Sequence, residues 1–307
     1  MRSMLIKTWT IIFFMTVNSS SEPRLFASGF EFPEGPVWDC EKNLLYCSNC
    51  YGDWLALVLE QKVNIFLKAS EKPFIFDRTN GLALDTQGNL YACDFGKGAI
   101  LKISPLGESF VLAAGYQGNP FHRPNDLAFS PGGDLYFTDP HSYSTENADG
   151  TVYKIDMKSH TTKPVAIDLA FPNGIAFSPE GQSAFICESA AHQVTRFRLN
   201  ENSTLSDPRR FVHMPGGDPD GIAFDKQGNL YVAHFGGGAV YQFNPQGHLL
   251  RKIPMPGAKP TNLAFGGKHL KTLYITEVET QSIYALDVDV PGLPLYHSPA
   301  YKKERDE

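Results

Sequence analysis

The chain has 307 residues, 42% of them hydrophobic and 20% charged, so it can bury a sizeable core and is not an intrinsically disordered segment. Lys and Arg number 27 against 33 Asp and Glu, a net charge of −6 without any basic run, which argues against nucleic-acid binding. With 27 glycines, 22 prolines and 12% aromatics, the composition suits many short strands joined by tight turns, and no apolar pattern of helical period runs beyond about two turns.

Residues 1–21 read as a leader or signal peptide. Arg2 and Lys7 precede an apolar run, 8–17, that is too short to span a bilayer, and Val17-Asn18-Ser19 offers a small-residue cleavage site. A cleaved leader implies a periplasmic or secreted protein; otherwise the chain is cytoplasmic. The domain proper begins near Glu22 and runs to residue 295, and 296–307 form a charged C-terminal tail. Five cysteines (Cys40, Cys47, Cys50, Cys93, Cys187) are too few and too scattered for a disulfide framework. Cys47, Cys93 and Cys187 lie in strand-like runs and read as buried apolar filler.

Six segments then repeat along the chain: Glu34-Gly-Pro-Val-Trp-Asp39, Asn80-Gly-Leu-Ala-Leu-Asp85, Asn125-Asp-Leu-Ala-Phe-Ser130, Asn173-Gly-Ile-Ala-Phe-Ser178, Asp220-Gly-Ile-Ala-Phe-Asp225 and Thr261-Asn-Leu-Ala-Phe-Gly266. Their first residues are 46, 45, 48, 47 and 41 apart. Most are followed by a Gly-bearing turn and a second strand that opens on an apolar-aromatic pair such as Leu90-Tyr91 or Leu230-Tyr231. A strand meander repeated about every 45 residues marks a β-propeller blade. Six units predict an all-β, six-bladed propeller with four-stranded antiparallel blades around a solvated central channel. Two blades stand out. The stretch from Cys50 to Lys72 lacks the Gly-rich turn, so the first blade is expected to be irregular, and the sixth is short, so Arg24–Ala27 should supply its outer strand.

The first residue of each repeat (Glu34, Asn80, Asn125, Asn173, Asp220, Thr261) stands where the innermost strand begins. Counting on 14 to 16 residues reaches the far end of the antiparallel second strand: Asn49, Asp94, Asp139, Glu188, His234 and Glu277. Both sets are expected to converge on one mouth of the channel. Asn or Asp before Gly is also a common turn residue, yet a turn should repeat one residue type, and the first ring does not. Its carboxylates and amide oxygens suit a hard cation such as Ca²⁺, Mg²⁺ or Mn²⁺. His234 could shuttle protons, support a neighbour or simply fill the channel. Arg123 could grip substrate, or form an ion pair with Asp126 or Asp139. No Gly-x-Ser-x-Gly is present, which argues against a serine hydrolase.

Phe32-Pro-Glu-Gly-Pro-Val-Trp38, Arg123-Pro-Asn-Asp126, Phe171-Pro-Asn-Gly174, Asp218-Pro-Asp-Gly221 and Phe265-Gly-Gly267 together resemble the signatures of the gluconolactonase / senescence-marker-protein / luciferin-regenerating-enzyme-like family. The resemblance implies a propeller with one catalytic divalent cation, commonly Ca²⁺ and in some members Mg²⁺, Mn²⁺ or Zn²⁺, that hydrolyses sugar lactones. It implies Glu34, Asn125, Asn173 and Asp220 as metal ligands and Asp220 as the catalytic base. Arg123, Asn125, Asn80 and His234 would meet the substrate. The loop Pro140-His-Ser-Tyr143 borders the mouth and is expected to help choose that substrate. Other readings are a phosphotriester or ester hydrolase with the same site, or a non-catalytic binding propeller of the NHL kind. Neither a protein partner nor a membrane-spanning segment is evident.

Overall fold

The computed structural model describes residues 22–70 and 76–306; the leader and its cleavage site lie outside them. The repeats fold into six four-stranded antiparallel sheets. Blade one is Pro33–Asp39, Leu44–Asn49, Trp54–Leu59 and Lys62–Lys68, and blade two is Thr79–Leu84, Leu90–Asp94, Ala99–Ile103 and Ser109–Ala113. Blade three is Leu127–Phe129, Leu135–Asp139, Gly150–Ile155 and Thr162–Leu169; blade four is Pro172–Phe177, Ser183–Glu188, Gln193–Leu199 and Leu205–His213. Blade five is Asp218–Phe224, Leu230–Phe235, Ala239–Phe243 and Leu249–Pro254. Blade six has Pro260–Gly266, Thr272–Glu277 and Ser282–Asp287, and the N-terminal strand Arg24–Ser28 completes it from outside. That closure covers the sheet edge, and the result is a six-bladed β-propeller.

The first blade is regular, contrary to expectation. Its outer hairpin turns through Glu60 and Gln61, at φ 49° and 65°, so two non-glycine residues supply the left-handed pair that such a tight turn requires. The inner strands bury residues on both faces while the outermost strands stay largely exposed, and the buried residues interleave as apolar wedges between neighbouring blades. Val37, Leu55, Leu82 and Leu101 join blades one and two; Phe185, Val194, Phe224 and Val232 join four and five. Hydroxyls near the axis latch neighbouring blades together: Ser48 Oγ donates to Asn80 O (2.6 Å), Thr138 Oγ1 to Asn173 O (2.8 Å) and Ser189 Oγ to Pro219 O (2.9 Å).

At the repeat motif the innermost strand breaks register with its neighbour, between Glu34 and Val37, Thr79 and Leu82, Pro172 and Ile175, Pro219 and Ile222, and Pro260 and Leu263. These are β-bulges, which bend a strand and re-aim its side chains. The glycine after the ring residue therefore lies within a strand at the axis, not in a turn. At Gly174 an added Cβ would sit 2.2 Å from Asp220 O, and at Gly35, where φ is +48°, 2.2 Å from Asn80 O. Only hydrogen fits there.

The far half of the channel is a largely apolar cavity of about 80 Å³, walled by the inner strands of all six blades and closed by residues 293–300. The C-terminal stretch therefore packs back onto the disc. Leu293 N donates to Phe224 O (2.9 Å), Tyr296 Oη to Ser178 O (2.9 Å), and the helix Pro299–Asp306 carries Glu304 to Lys226 Nζ (2.8 Å). No described helix is long and apolar enough to cross a membrane.

Candidate active site

The first side chains of five repeats meet in one pocket of about 290 Å³ at the other mouth, those of blades one, two, four and five from bulged strands and that of blade three from the residues ahead of an unbulged one. Glu34, Asn80, Asn125, Asn173 and Asp220 all line it. Thr261 does not: it is fully buried and its hydroxyl donates to Pro33 O (2.9 Å), which makes it a latch between blades six and one. Glu34 and Asp220 are 4% and 7% exposed. Burial raises the Glu34 carboxyl, and burial followed by the charges of Glu34 and Asp126 holds Asp220 well above the carboxylate range.

Asp126 occupies the second place of its repeat, where four other repeats have glycine. It is buried beneath the pocket, accepts from Ile175 N (3.2 Å) and is pushed by burial to about 7. The Oδ1 atoms of Asn80 and Asn173 are buried with no hydrogen-bond partner. The Asn173 amide is oriented by its Nδ2, which donates to Ser189 Oγ (3.3 Å) and leaves the oxygen over. Two orphaned amide oxygens beside two buried carboxylates are costly as they stand. They fit a hard divalent cation. Among the described residues no trio of Asp, Glu, His and Cys gathers around one point, so the fit rests on this mixed amide and carboxylate set.

The second ring does not turn to the channel. Asn49 Oδ1 accepts from Glu31 N (2.7 Å) and Phe32 N (3.2 Å), and Asp94 accepts from Asp77 N (2.8 Å) and Arg78 N (3.1 Å). Asp139 accepts from His122 N (3.0 Å) and Arg123 N (2.6 Å), Glu188 from Ala170 N (3.0 Å), and Glu277 from Lys259 N (2.8 Å). Each polar end of a second strand pins the loop that leads into its own innermost strand. His234 does the same in blade five through Nε2 and Met214 O (3.0 Å), and burial lowers its pKa. His234 is therefore outside the side chains that line the pocket, and no carboxylate of this ring is among them.

Four of those pinned loops carry the rim. Two residues before each ring residue stand Phe32, Arg78, Arg123, Phe171, Asp218 and Lys259, of which Phe32, Arg123, Phe171 and Asp218 line the pocket. Apart from Arg123, none of these is singled out by the sequence alone, although the repeat alignment holds them. Arg123 lines the pocket and pairs with neither Asp126 nor Asp139 through its side chain: Nη2 donates to His141 O (3.1 Å) and the guanidinium lies 5.8 Å from the Phe171 ring centre. The loop after Asp139 does border the mouth. Asp149 folds it by accepting from Ser142 N (2.8 Å) and holding His141 Nδ1 (2.7 Å). Tyr143 packs on Phe171 (5.3 Å between ring centres) and its hydroxyl crosses to Asp218 Oδ1 in blade five (2.8 Å). Cys50 also reaches the pocket, with a thiol that burial raises well above its ordinary value.

Comparison with known proteins agrees with this architecture. A gluconolactonase of Zymomonas mobilis is 32% identical over 292 residues, covering 85% of this chain and 80% of its own. A 6-deoxy-6-sulfogluconolactonase of Pseudomonas putida is 30% identical, covering 84% and 92%. Among solved structures, a gluconolactonase of Xanthomonas campestris superposes with a TM-score of 0.75 at 28% identity, covering 87% of this chain and 89% of that one. Regucalcin of Agrobacterium tumefaciens, described as a calcium-binding protein, shares the fold with a TM-score of 0.77 at 20% identity, covering 90% and 97%. The profile of the SMP-30/Gluconolactonase/LRE-like region matches residues 32–279, and the chain belongs to that family.

Proposed function

We propose that this protein is a divalent-cation-dependent lactonase, with Ca²⁺ the leading candidate cation. The lactonases among its relatives support the reaction class. The observation that carries the site is the meeting of Glu34, Asp220 and the unpartnered amide oxygen of Asn173 in one axial pocket, with the Asn80 oxygen left free for substrate. Glu34, Asn125, Asn173 and Asp220 would hold the cation, which when bound supplies the positive charge that keeps both carboxylates ionised and polarises a carbonyl.

The remaining chemistry belongs to the side chains. Asp220 takes a proton from the water that attacks the carbonyl carbon; the ring C–O bond breaks, and the proton passes to the departing alkoxide. Arg123 lines the pocket and has spare N–H donors beyond the one given to His141 O, available to the negative charge that develops on the carbonyl oxygen. Asn80 and Asn125 orient the ring from the floor.

Two substitutions separate holding from proton transfer. Glu34→Gln should weaken cation binding by about tenfold or more, the scale seen when a metal site loses a supporting group. Asp220→Asn, loaded with excess cation, should lose turnover by about 10²-fold or more, the usual contribution of a general base. Near-wild-type turnover by loaded Asp220→Asn would leave Asp220 as a ligand at most.

A further inference from the structure

We propose that the lactone this pocket is built for carries an apolar side group, alkyl or aryl, in place of the hydroxyls of a sugar lactone. The inference rests on the lactonase reading and names its substrate class. The pocket has two tiers. Its polar groups lie on the floor, and its wall is aromatic: Phe32, Tyr51, Phe95, Tyr143, Phe171 and Phe235.

The wall is arranged as packed clusters. Phe32 and Tyr51 meet edge to face with ring centres 4.8 Å apart, Tyr51 and Phe95 lie 6.3 Å apart, and Phe171 backs Tyr143 on the other side. Tyr51 and Tyr143 stay 56% and 55% exposed at the mouth, so their apolar faces gain little from the fold itself. Exposed aromatics gathered around a cavity mark a binding surface.

A polyhydroxylated ring set edge-on to this wall would need a donor or acceptor for each hydroxyl. Beyond the Tyr51 hydroxyl and the spare N–H groups of Arg123, the wall offers few. The Tyr143 hydroxyl is committed to Asp218, Asp218 also meets His192 Nδ1 (3.1 Å), and Ser189 Oγ donates to Pro219 O. Arg123 is the one cation among the lining residues. A hydroxyl left unpaired against such a wall loses its hydration without return, whereas an alkyl or aryl group gains by burial. The floor thus suits the cyclic ester and the wall suits an apolar flank.

The test compares kcat/KM of the Ca²⁺-loaded protein on three lactones sharing one six-membered ring: δ-valerolactone (bare), glucono-δ-lactone (hydroxylated) and δ-decalactone (alkylated). We expect δ-decalactone to exceed both others by about tenfold or more, the scale by which apolar pockets discriminate. Tyr51→Ala and Phe95→Ala should each shrink the ratio of δ-decalactone to δ-valerolactone several-fold. Structural damage would lower both rates together and leave that ratio unchanged, which would count against the wall as the selector. A preference for glucono-δ-lactone overturns the inference while the lactonase reading stands. Failure to open any of the three overturns both.

Discussion

Without a cation, the axial carboxylates should make the fold less stable as the pH rises. Asp126 carries the clearest case: burial lifts its carboxyl from an ordinary 3.8 to about 7. Glu34 and Asp220 are displaced in the same direction, by burial above all. An acid whose folded pKa lies above its unfolded one keeps its proton longer in the native state. Between about pH 4 and pH 7 the native chain therefore binds more protons than the unfolded chain, and stability falls with each increment of pH. The gap of about 3 pH units on Asp126 corresponds to about 4 kcal/mol at 1.36 kcal/mol per unit. That is a large share of the 5–15 kcal/mol typical of a folded protein.

Thermal unfolding in chelator from pH 4.5 to 8.5 reads this directly, and the melting temperature should drop by roughly 5–10 °C across the range. Asp126→Asn removes one titrating group and should flatten the profile. Saturating Ca²⁺ should restore more stability at pH 8 than at pH 5, because cation binding then displaces fewer protons. A chelated protein whose stability is level or rises across this window, or an Asp126→Asn profile as steep as the wild type, would mean that the buried carboxyls are not protonated in the native state.

Gly174→Ala should destabilise by about 1–3 kcal/mol in urea unfolding and weaken cation binding, because its new Cβ collides with the Asp220 carbonyl at the bulge that aims the ring. Truncation after residue 291 should lower the melting temperature by several degrees by stripping Leu293, Leu295 and Tyr296 from the channel floor, whereas Glu304→Ala, which breaks only the exposed pair with Lys226, should change stability by less than about 1 kcal/mol.

The periodic parts of this fold were legible in the chain. The spacing of the six motifs locates the blades, and the short sixth repeat points to Arg24–Ala27 as the closing strand, which the structure extends by one residue to Ser28. Five of the six first-ring positions were legible because the residue types differ where a turn would repeat one; Thr261 was not told apart from them, since a latch hydroxyl and a pocket hydroxyl look alike in sequence. What the pattern could not supply was side-chain direction. Strand antiparallelism brings Asp139 and His234 to the correct end of the disc, but whether each faces the axis or its own loop depends on unpaired backbone groups that a count does not register. The bulges hid for the same reason, since Asn-Gly within a kinked strand and Asn-Gly in a turn share one spelling. Glu60-Gln61 forms its turn without glycine, so composition misjudged blade one. The apolar residues between 293 and 300 act only by crossing the far side of the disc, a long-range contact without local period.

If the axial oxygens hold a cation required for opening a lactone, hydrolysis of the δ-lactone panel by chelated protein titrated with Ca²⁺, with Glu34→Gln run in parallel, will show it. Expected are no turnover in chelator, saturable recovery as Ca²⁺ is added, and a recovery curve for Glu34→Gln displaced to about tenfold higher Ca²⁺. Full turnover in chelator, or the same Ca²⁺ dependence in Glu34→Gln as in the wild type, would mean that these oxygens hold no such cation.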